Sequence, residues 1–401
     1  MNNVLDYLKW RGDVPMTGSP FNEIDNIILS MTTFVDFTDI VPSDPSGEPV
    51  SFPAAMKRFD QGDAGQKNYI GAIIPASLLD IARRAAECPR FSDMLITGFV
   101  NEVDEQAQMQ FAALTYLLSD GSVYVAFRGT DDTIVGWKED VMLGFKTPIP
   151  AHIRAVEYIE KMAEARSGGI RIGGHSKGGN IAMWAAAFSS PRVRDRVIRV
   201  YNNDGPGFLP EVVSSSQYLE VADRIITFIP QSSVVGVLLE QSPHYQIIKS
   251  TQAGIMQHDP LSWEVMGARF VYLDKRSRFG IQSDENLRRW VYSMDDEQRG
   301  KFADMLFGII DATGARTLTD LSSAKLKNFN VIMKSLRELD KDSRDMMFNA
   351  LIALLGGRPA KPRTPAPGQL PQGKQPAAPE KQPSLAAGKT ADKKRDKAQD
   401  K

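Results

Sequence analysis

A serine hydroxyl attacks a carbonyl usefully only where a base takes its proton and a third group orients that base. Residues Gly174-His-Ser-Lys-Gly178 spell Gly-x-Ser-x-Gly between an apolar strand-like run and an alanine-rich helical run. Glycines two residues before and two after Ser176 let a strand turn sharply into a helix with no side chain in the way. The hydroxyl then stands at the carboxyl edge of a sheet, with the amide of Lys177 aimed at the reacting carbonyl. A glycine-rich turn kept for packing is the alternative reading.

The base must come from four histidines. On an elbow of this kind the acid and then the histidine follow the serine in the chain, the histidine in a loop after the last core strand. His258, in Gly254-Ile-Met-Gln-His-Asp-Pro260, follows a strand expected at residues 245–248 and fits that place. His244 lies at the wrong end of that strand. His152 opens an amphipathic helix and reads as a solvated or capping residue, and His175 packs under the elbow. Asp204, in Tyr201-Asn-Asn-Asp-Gly-Pro-Gly-Phe208, closes the strand after the elbow helix and is the candidate acid. The same residues also make an ordinary tight turn. Position decides between them: the loop after the next strand, Ile229-Pro-Gln-Ser-Ser-Val-Val-Gly236, holds no carboxylate, and Asp259 adjoins His258 too closely to orient it. Donors for an oxyanion are expected from the Lys177 amide and from Thr130, amide and hydroxyl, where Tyr124-Val-Ala-Phe-Arg-Gly-Thr130 breaks from a strand into a turn.

These residues need a sheet to hold them. Apolar spacing predicts helices at 21–37 and 75–88, then strands at 94–100 and 107–118. A hairpin turn at Ser119-Asp-Gly121, with Gly121 at positive φ, leads into a strand at 122–127. The pattern then alternates: helix 151–166, strand 170–172, helix 177–188, and strands at 197–201, 225–228 and 245–248. Such alternation argues a mainly parallel sheet covered on both faces. The apolar run Val234-Val-Gly-Val-Leu-Leu239 reads as buried helix, with a lid or an acyl-pocket wall as the alternative. Residues 286–355 are helical in period, broken at Thr313-Gly314, and the chain is expected to divide into 1–283, a helical appendage at 284–356, and a tail at 357–401.

Charge supports that division. The whole chain of 401 residues carries 48 Lys and Arg against 49 Asp and Glu. The tail holds eleven basic and four acidic residues, leaving the body acidic. A Pro-, Ala-, Lys- and Gln-rich segment with almost no large apolar residues cannot offset its ordering entropy, so disorder is expected there. A mildly acidic body does not suit a folded nucleic-acid binder. One cysteine, Cys88, excludes an internal disulfide and suits a reducing compartment. The first ten residues lack a basic stretch leading into an apolar one, and no run approaches the ~18 apolar residues of a membrane helix. A soluble, cytoplasmic protein is expected.

Phe127-Arg-Gly-Thr130, Gly136-Trp-Lys-Glu-Asp140 and Gly174-His-Ser-Lys-Gly-Gly-Asn-Ile-Ala182 resemble the motifs of class 3 lipases. More closely the chain is similar to the bacterial Mbeg-like branch of that fold, a family of unknown function, over residues 22–272. The resemblance implies an α/β-hydrolase-type fold: a mainly parallel sheet flanked by helices, here with a C-terminal helical appendage and a disordered tail. It further implies Ser176 as nucleophile, Thr130 as an oxyanion residue, and Asp140 as a support of the oxyanion loop. Two departures stand out. Class 3 lipases carry leucine where Lys177 stands, and a cation beside the nucleophile does not suit a greasy acyl groove. Their acid follows the next strand, where this chain has Gln231-Ser-Ser233, so the acid has moved to Asp204 or the triad is incomplete.

Two functions follow. The first is a serine hydrolase (esterase, thioesterase or phospholipase-like) cleaving a small acyl-ester or lipid-like substrate through an acyl-enzyme, with transfer to another acceptor as a variant. The second is a non-catalytic scaffold that binds a partner through the appendage or tail. No cofactor is expected: residues 168–179 lack the Gly-Lys-Ser/Thr of a phosphate loop, and the histidines lie too far apart for a helical metal pair. The Lys393-Lys-Arg-Asp-Lys397 cluster reads as solubilising, or as weak contact with an anionic surface.

Overall fold

Near-continuous apolar runs such as Val123–Phe127 build a sheet buried on both faces. The computed structural model describes residues 2–62, 77–242, 244–323 and 325–354. Among them nine strands form one sheet. These are β1 (Val50–Ser51), β2 (Leu95–Asp104), β3 (Met109–Leu117), β4 (Val123–Phe127), β5 (Ile170–His175), β6 (Val197–Asn203), β7 (Ile225–Pro230) and β8 (Tyr245–Ile248), closed by β11 (Tyr272–Leu273). A separate ribbon pairs β9 (Val265–Met266) with β10 (Arg269–Phe270). Spatial order follows sequence, β1 through β8 and then β11. The pairs from β4 to β8 are parallel, and those at both ends are antiparallel.

Strand β4 shows why the sheet sits where it does. Tyr124 and Ala126 pack with the helices Val4–Arg11, Glu23–Thr32, Phe52–Gln61 and Ser77–Glu87 on one face. Val123, Val125 and Phe127 pack with Pro150–Ala165 and Lys177–Phe188 on the other. All five residues are buried, as expected of a strand covered on both sides. The N-terminal layer is tied by a buried ion pair. Arg90 meets Asp25, which also accepts from the Tyr7 hydroxyl, and the guanidinium donates to the carbonyls of Val14, Ser19 and Pro20.

Several boundaries differ from expectation for local reasons. The helix expected at 21–37 runs only Glu23–Thr32, started by an Asn22–Asp25 capping box. It ends where the hydroxyls of Thr32 and Thr33 take the carbonyls of Leu29 and Ser30, so Phe34, Val35 and Phe37 enter the core outside it. Strand β5 continues to His175, directly into the elbow. The run 234–239 is a loop, not a helix: Val234, Val237 and Leu239 are buried, and Leu239 holds φ +64°. Two short helices, Val4–Arg11 and Phe52–Gln61, add to the expected elements. Residues 75–76 of the second expected helix and all of the expected tail, 357–401 with its basic cluster, lie outside the described residues.

The C-terminal helices Arg278–Val291, Asp296–Asp311, Leu318–Ser323, Lys325–Glu338 and Lys341–Leu354 are fastened to the sheet body at two places. Ile134 N donates to Arg316 O, Leu318 N to Asp132 O, and the Thr319 hydroxyl to Asp132 Oδ2 at 2.6 Å. The helix Arg278–Val291 lies across the residue 283 boundary and meets the 231–240 loop. No helix among the described residues is long and apolar enough to cross a membrane.

His152 caps its helix, as expected, but is fully buried rather than solvated. Its Nδ1 accepts from Ile149 N, so Nε2 carries the hydrogen and donates to Asn180 Oδ1 at 2.7 Å. The ring stacks on Trp184 at 4.4 Å. Burial holds its pKa down at about 3. The unfolded chain therefore binds a proton here between pH 6.5 and 3 that the folded chain refuses, and stability drains away as pH falls through that window. His152→Gln removes this contribution. Urea unfolding at pH 7, 6, 5 and 4 should show the wild type losing stability faster than the variant, by about 1.4 kcal/mol per pH unit at most. Parallel slopes would contradict the assignment.

Candidate active site

The elbow is formed by backbone crossing backbone. Ser176 adopts φ +59°, a conformation that costs a non-glycine residue about 1–3 kcal/mol. Its amide donates to Asn203 O at 3.0 Å, while its carbonyl accepts from Gly179 N. A side chain at Gly178 would place its Cβ 2.1 Å from Phe127 O, and one at Gly174 would lie 2.3 Å from the Gly178 carbonyl carbon. Those approaches explain the flanking glycines. Beneath the turn, Asn203 Nδ2 donates to Gly174 O at 2.9 Å, and Asn26 Nδ2 donates to Asn203 Oδ1 at 2.7 Å. The second asparagine of the Asn-Asn-Asp run is thus a strut of the elbow.

Asp204 and His258 are brought together. His258 Nδ1 donates to Asp204 Oδ2 at 2.8 Å, which leaves Nε2 as the acceptor. Asp204 is fully buried, at φ +53°. Burial pushes its carboxyl up from the ordinary carboxylate range. Hydrogen bonds from His258, from the Ser233 hydroxyl at 2.6 Å and from the Gly236 amide pull the other way. A Cβ at Gly236 would fall 2.1 Å from Asp204 Oδ1, so that position admits only glycine. His258 sits on a short 3-10 turn, Gly254–His258, whose last carbonyl accepts from His175 Nε2 at 2.8 Å. The two imidazoles lie 4.4 Å apart, and Trp263 packs beneath His175. Burial takes the His175 pKa well below its usual value, which suits a neutral ring donating one hydrogen. Among the described residues no hydrogen bond joins Ser176 Oγ to His258 Nε2; such contacts commonly tighten only when substrate binds.

The strand end after β4 lies against the elbow: a Cβ on Gly129 would stand 3.2 Å from Ser176 Cβ and 2.6 Å from His175 O. Thr130 follows directly. Its hydroxyl donates to Asp140 Oδ2 at 2.6 Å, so the hydrogen expected for an oxyanion is already engaged and the amide is the donor Thr130 offers. Asp140 Oδ1 is buried without a partner among the described residues. Burial raises the Asp140 pKa to about 6, against the pull of Lys177 and the Thr130 hydroxyl. The Lys177 amide is the first of its helix and has no partner one turn earlier.

The Lys177 side chain does not face an acyl groove, contrary to the expectation from its sequence position. Its ammonium turns inward, 1% exposed, and spends all three hydrogens on Gln110 O (2.9 Å), Gln110 Oε1 (2.7 Å) and Glu139 Oε2 (2.8 Å). Glu139 is fully buried and also accepts from the amides of Gln110 and Ala151. This salt bridge ties the elbow helix to β3 and to the helix Ile134–Met142 that carries Asp140.

The family described as Mbeg1-like matches residues 85–308. The chain belongs to the Mbeg1-like family. The matched span reaches past the motif resemblance, which ended at residue 272, to take in the helix Arg278–Val291 and most of Asp296–Asp311. Two solved structures are similar in part, the Rhizomucor miehei lipase propeptide complex in its native form and as a deletion mutant. Each is 14% identical over 61% of this chain, covering 81% and 79% of the lipase chain, with TM-scores of 0.32 and 0.33. No curated protein matches the sequence.

For this Mbeg1-like chain, spacing brought out Ser176, His258, Asp204, Thr130 and Lys177, but not their supports. Ser233 occupies the loop after β7, which holds no carboxylate. Glu139 stands next to Asp140 in Gly136-Trp-Lys-Glu-Asp140, and a lysine in an apolar setting calls for such a partner. Among the described residues no group of three or more His, Cys, Asp or Glu is placed to hold a metal.

Breaking a buried pair from one side leaves a charge without compensation, costing about 3–5 kcal/mol. Lys177→Leu should therefore destabilise the fold by that amount in urea titration. Adding Glu139→Gln should recover a good part of the loss, since contacting residues are not additive. A single variant within 1 kcal/mol of wild type would show that the pair does not hold the elbow.

Proposed function

We propose that the protein is a serine hydrolase acting on a carboxylic ester or thioester. The observation that carries this reading is the His258–Asp204 hydrogen bond on the same sheet edge as a strained, glycine-flanked Ser176. Ser176 Oγ attacks the carbonyl carbon while His258 Nε2 takes its proton. Asp204 holds the ring in the required tautomer and offsets the imidazolium charge. The carbonyl π pair moves to oxygen, which rests on the amides of Lys177 and Thr130. Collapse breaks the bond to the leaving oxygen or sulfur, which departs with the proton from His258. Water, deprotonated by the same nitrogen, then releases the acid and frees Ser176.

The surroundings favour an acyl substrate. Ile255 and Met256, beside His258, are 60% and 61% exposed, and Trp137, in the helix carrying Asp140, is 37% exposed. Phe279, half exposed, stands 3.7 Å from where a Cβ of Gly254 would be. Apolar side chains left in water around a polar centre suit a chain of methylenes with a carbonyl at its end. The inward turn of the Lys177 ammonium removes one objection to such a ligand.

A fluorophosphonate probe should label the folded protein, and Ser176→Ala should abolish labelling. With p-nitrophenyl esters of increasing acyl length, Asp204→Asn should lower kcat by about 10³–10⁴-fold and leave folding intact. A folded sample that neither labels nor hydrolyses any ester would sink the enzymatic reading and leave the second one, a scaffold whose site is structural.

A further inference from the structure

The helix Arg278–Val291 is built onto the loop that holds the acid, and we infer that it is a positioning element of the Asp204–His258 pair. This inference rests on the serine hydrolase reading. The contact begins at the helix start. Ser277 N donates to Gln231 O at 2.8 Å, and the hydroxyls of Ser277 and Ser232 lie 2.5 Å apart. Ser277 Oγ also accepts from Gly280 N, while Arg276 donates to Gly280 O and Asp284 Oδ2. At Gly280 the backbones approach so closely that a Cβ would lie 2.7 Å from Gln231 O and 3.0 Å from Ser232 Cα. Two turns later Arg288 donates to Leu239 O and to Glu240 Oε1, both at 2.7 Å. Leu287 packs on Val234 and Leu238. The helix therefore grips the 231–240 loop at both ends.

Along this stretch the loop reaches both members of the pair, the acid directly and the turn that bears His258 through Gln257. Ser233 Oγ donates to Asp204 Oδ1 and accepts from Gly236 N. Ser232 N donates to Gln257 Oε1 at 2.7 Å, and Gln257, buried next to His258, is held in turn by Trp263 Nε1 on its carbonyl. A shift of the loop would thus move acid and base together, and hydrogen bonds of this kind weaken steeply with misalignment. Displacements near 1 Å at a catalytic group cost about 10²-fold in rate.

The test uses the full chain and three variants. Gly280→Ala wedges the helix from the loop at backbone level. Ser277→Ala removes one hydroxyl without adding volume, with Ser277→Thr as the rescue. Gly308→Ala, in the helix Asp296–Asp311 with nothing within 4 Å of the new methyl, is the control. Three quantities are read: the fluorophosphonate labelling rate across pH, the melting temperature, and the downfield proton NMR signal of His258 Nδ1–H, assigned by its loss in His258→Gln. Gly280→Ala should slow labelling at least tenfold, move the acidic limb of its pH profile, and shift or broaden the Nδ1–H signal. Ser277→Ala should do the same several-fold, with Ser277→Thr restoring it, and Gly308→Ala should match wild type. If Gly280→Ala fails to fold, the Ser277 pair decides alone. Folded variants with wild-type rate, pH profile and Nδ1–H signal would overturn the inference. A wild type that never labels would instead overturn the hydrolase reading, and the NMR signal would still show whether the helix positions the pair.

Discussion

The site depends on one crossing of main chains. The segment Phe127-Arg-Gly129 passes over the elbow so closely that positions 129, 174 and 178 have no room for a side chain. That contact brings three parts of the candidate site to one place: Ser176 on the turn, the Lys177 amide that begins the elbow helix, and the strand end that leads into Thr130. It also explains why strain at Ser176 persists. The serine has a positive φ because the strands on either side, β4 and β6, are hydrogen-bonded to β5 up to the turn and leave the chain no room to relax.

The buried Lys177–Glu139 pair can be understood as a second consequence of that crossing. Lys177, directly after Ser176, points back under the helix, into the gap between the elbow and the β3–helix layer. A leucine would fill it with methyl groups. This chain fills it with a methylene stem and meets the charge with a carboxylate and both oxygens of Gln110. Apolar replacements of buried pairs are often neutral or better for stability, so the pair is not explained by stability alone. What it adds is direction, because Glu139 must face Lys177 and so fixes the rotation of the helix on which Asp140 meets Thr130.

The legible part of the site was the part written in local sequence. Glycine spacing around Ser176, strand–helix alternation and the chain order serine, aspartate, histidine all act over a few residues or one element, and they led to the mainly parallel sheet and to an aspartate and a histidine that meet. The supports were not legible because each depends on a distant segment. Ser233 reaches Asp204 across 29 positions, Lys177 reaches Glu139 across 38, and His175 reaches the His258 carbonyl across 83. Nothing in the tetrad Gln-Ser-Ser-Val distinguishes a hydroxyl that holds a carboxylate from one that faces water. For the same reason His152 looked like a surface residue: its place at a helix start was visible, but Trp184 and Asn180, which bury it, lie on another helix.

The loop without a carboxylate is tied to Asp204 by a hydrogen bond from Ser233. Asp204, at the end of β6, lies one strand from the elbow that ends β5 and is fully buried. Burial there raises the cost of its charge, and the cost must be met by donors. The 231–236 loop provides them, a hydroxyl from Ser233 and the Gly236 amide, and it can do so only because position 236 lacks a side chain. A second acid in that loop would set two negative charges in one buried space, which raises the pKa of one of them strongly. The 231–240 loop is itself held from outside by the helix beginning at Arg278.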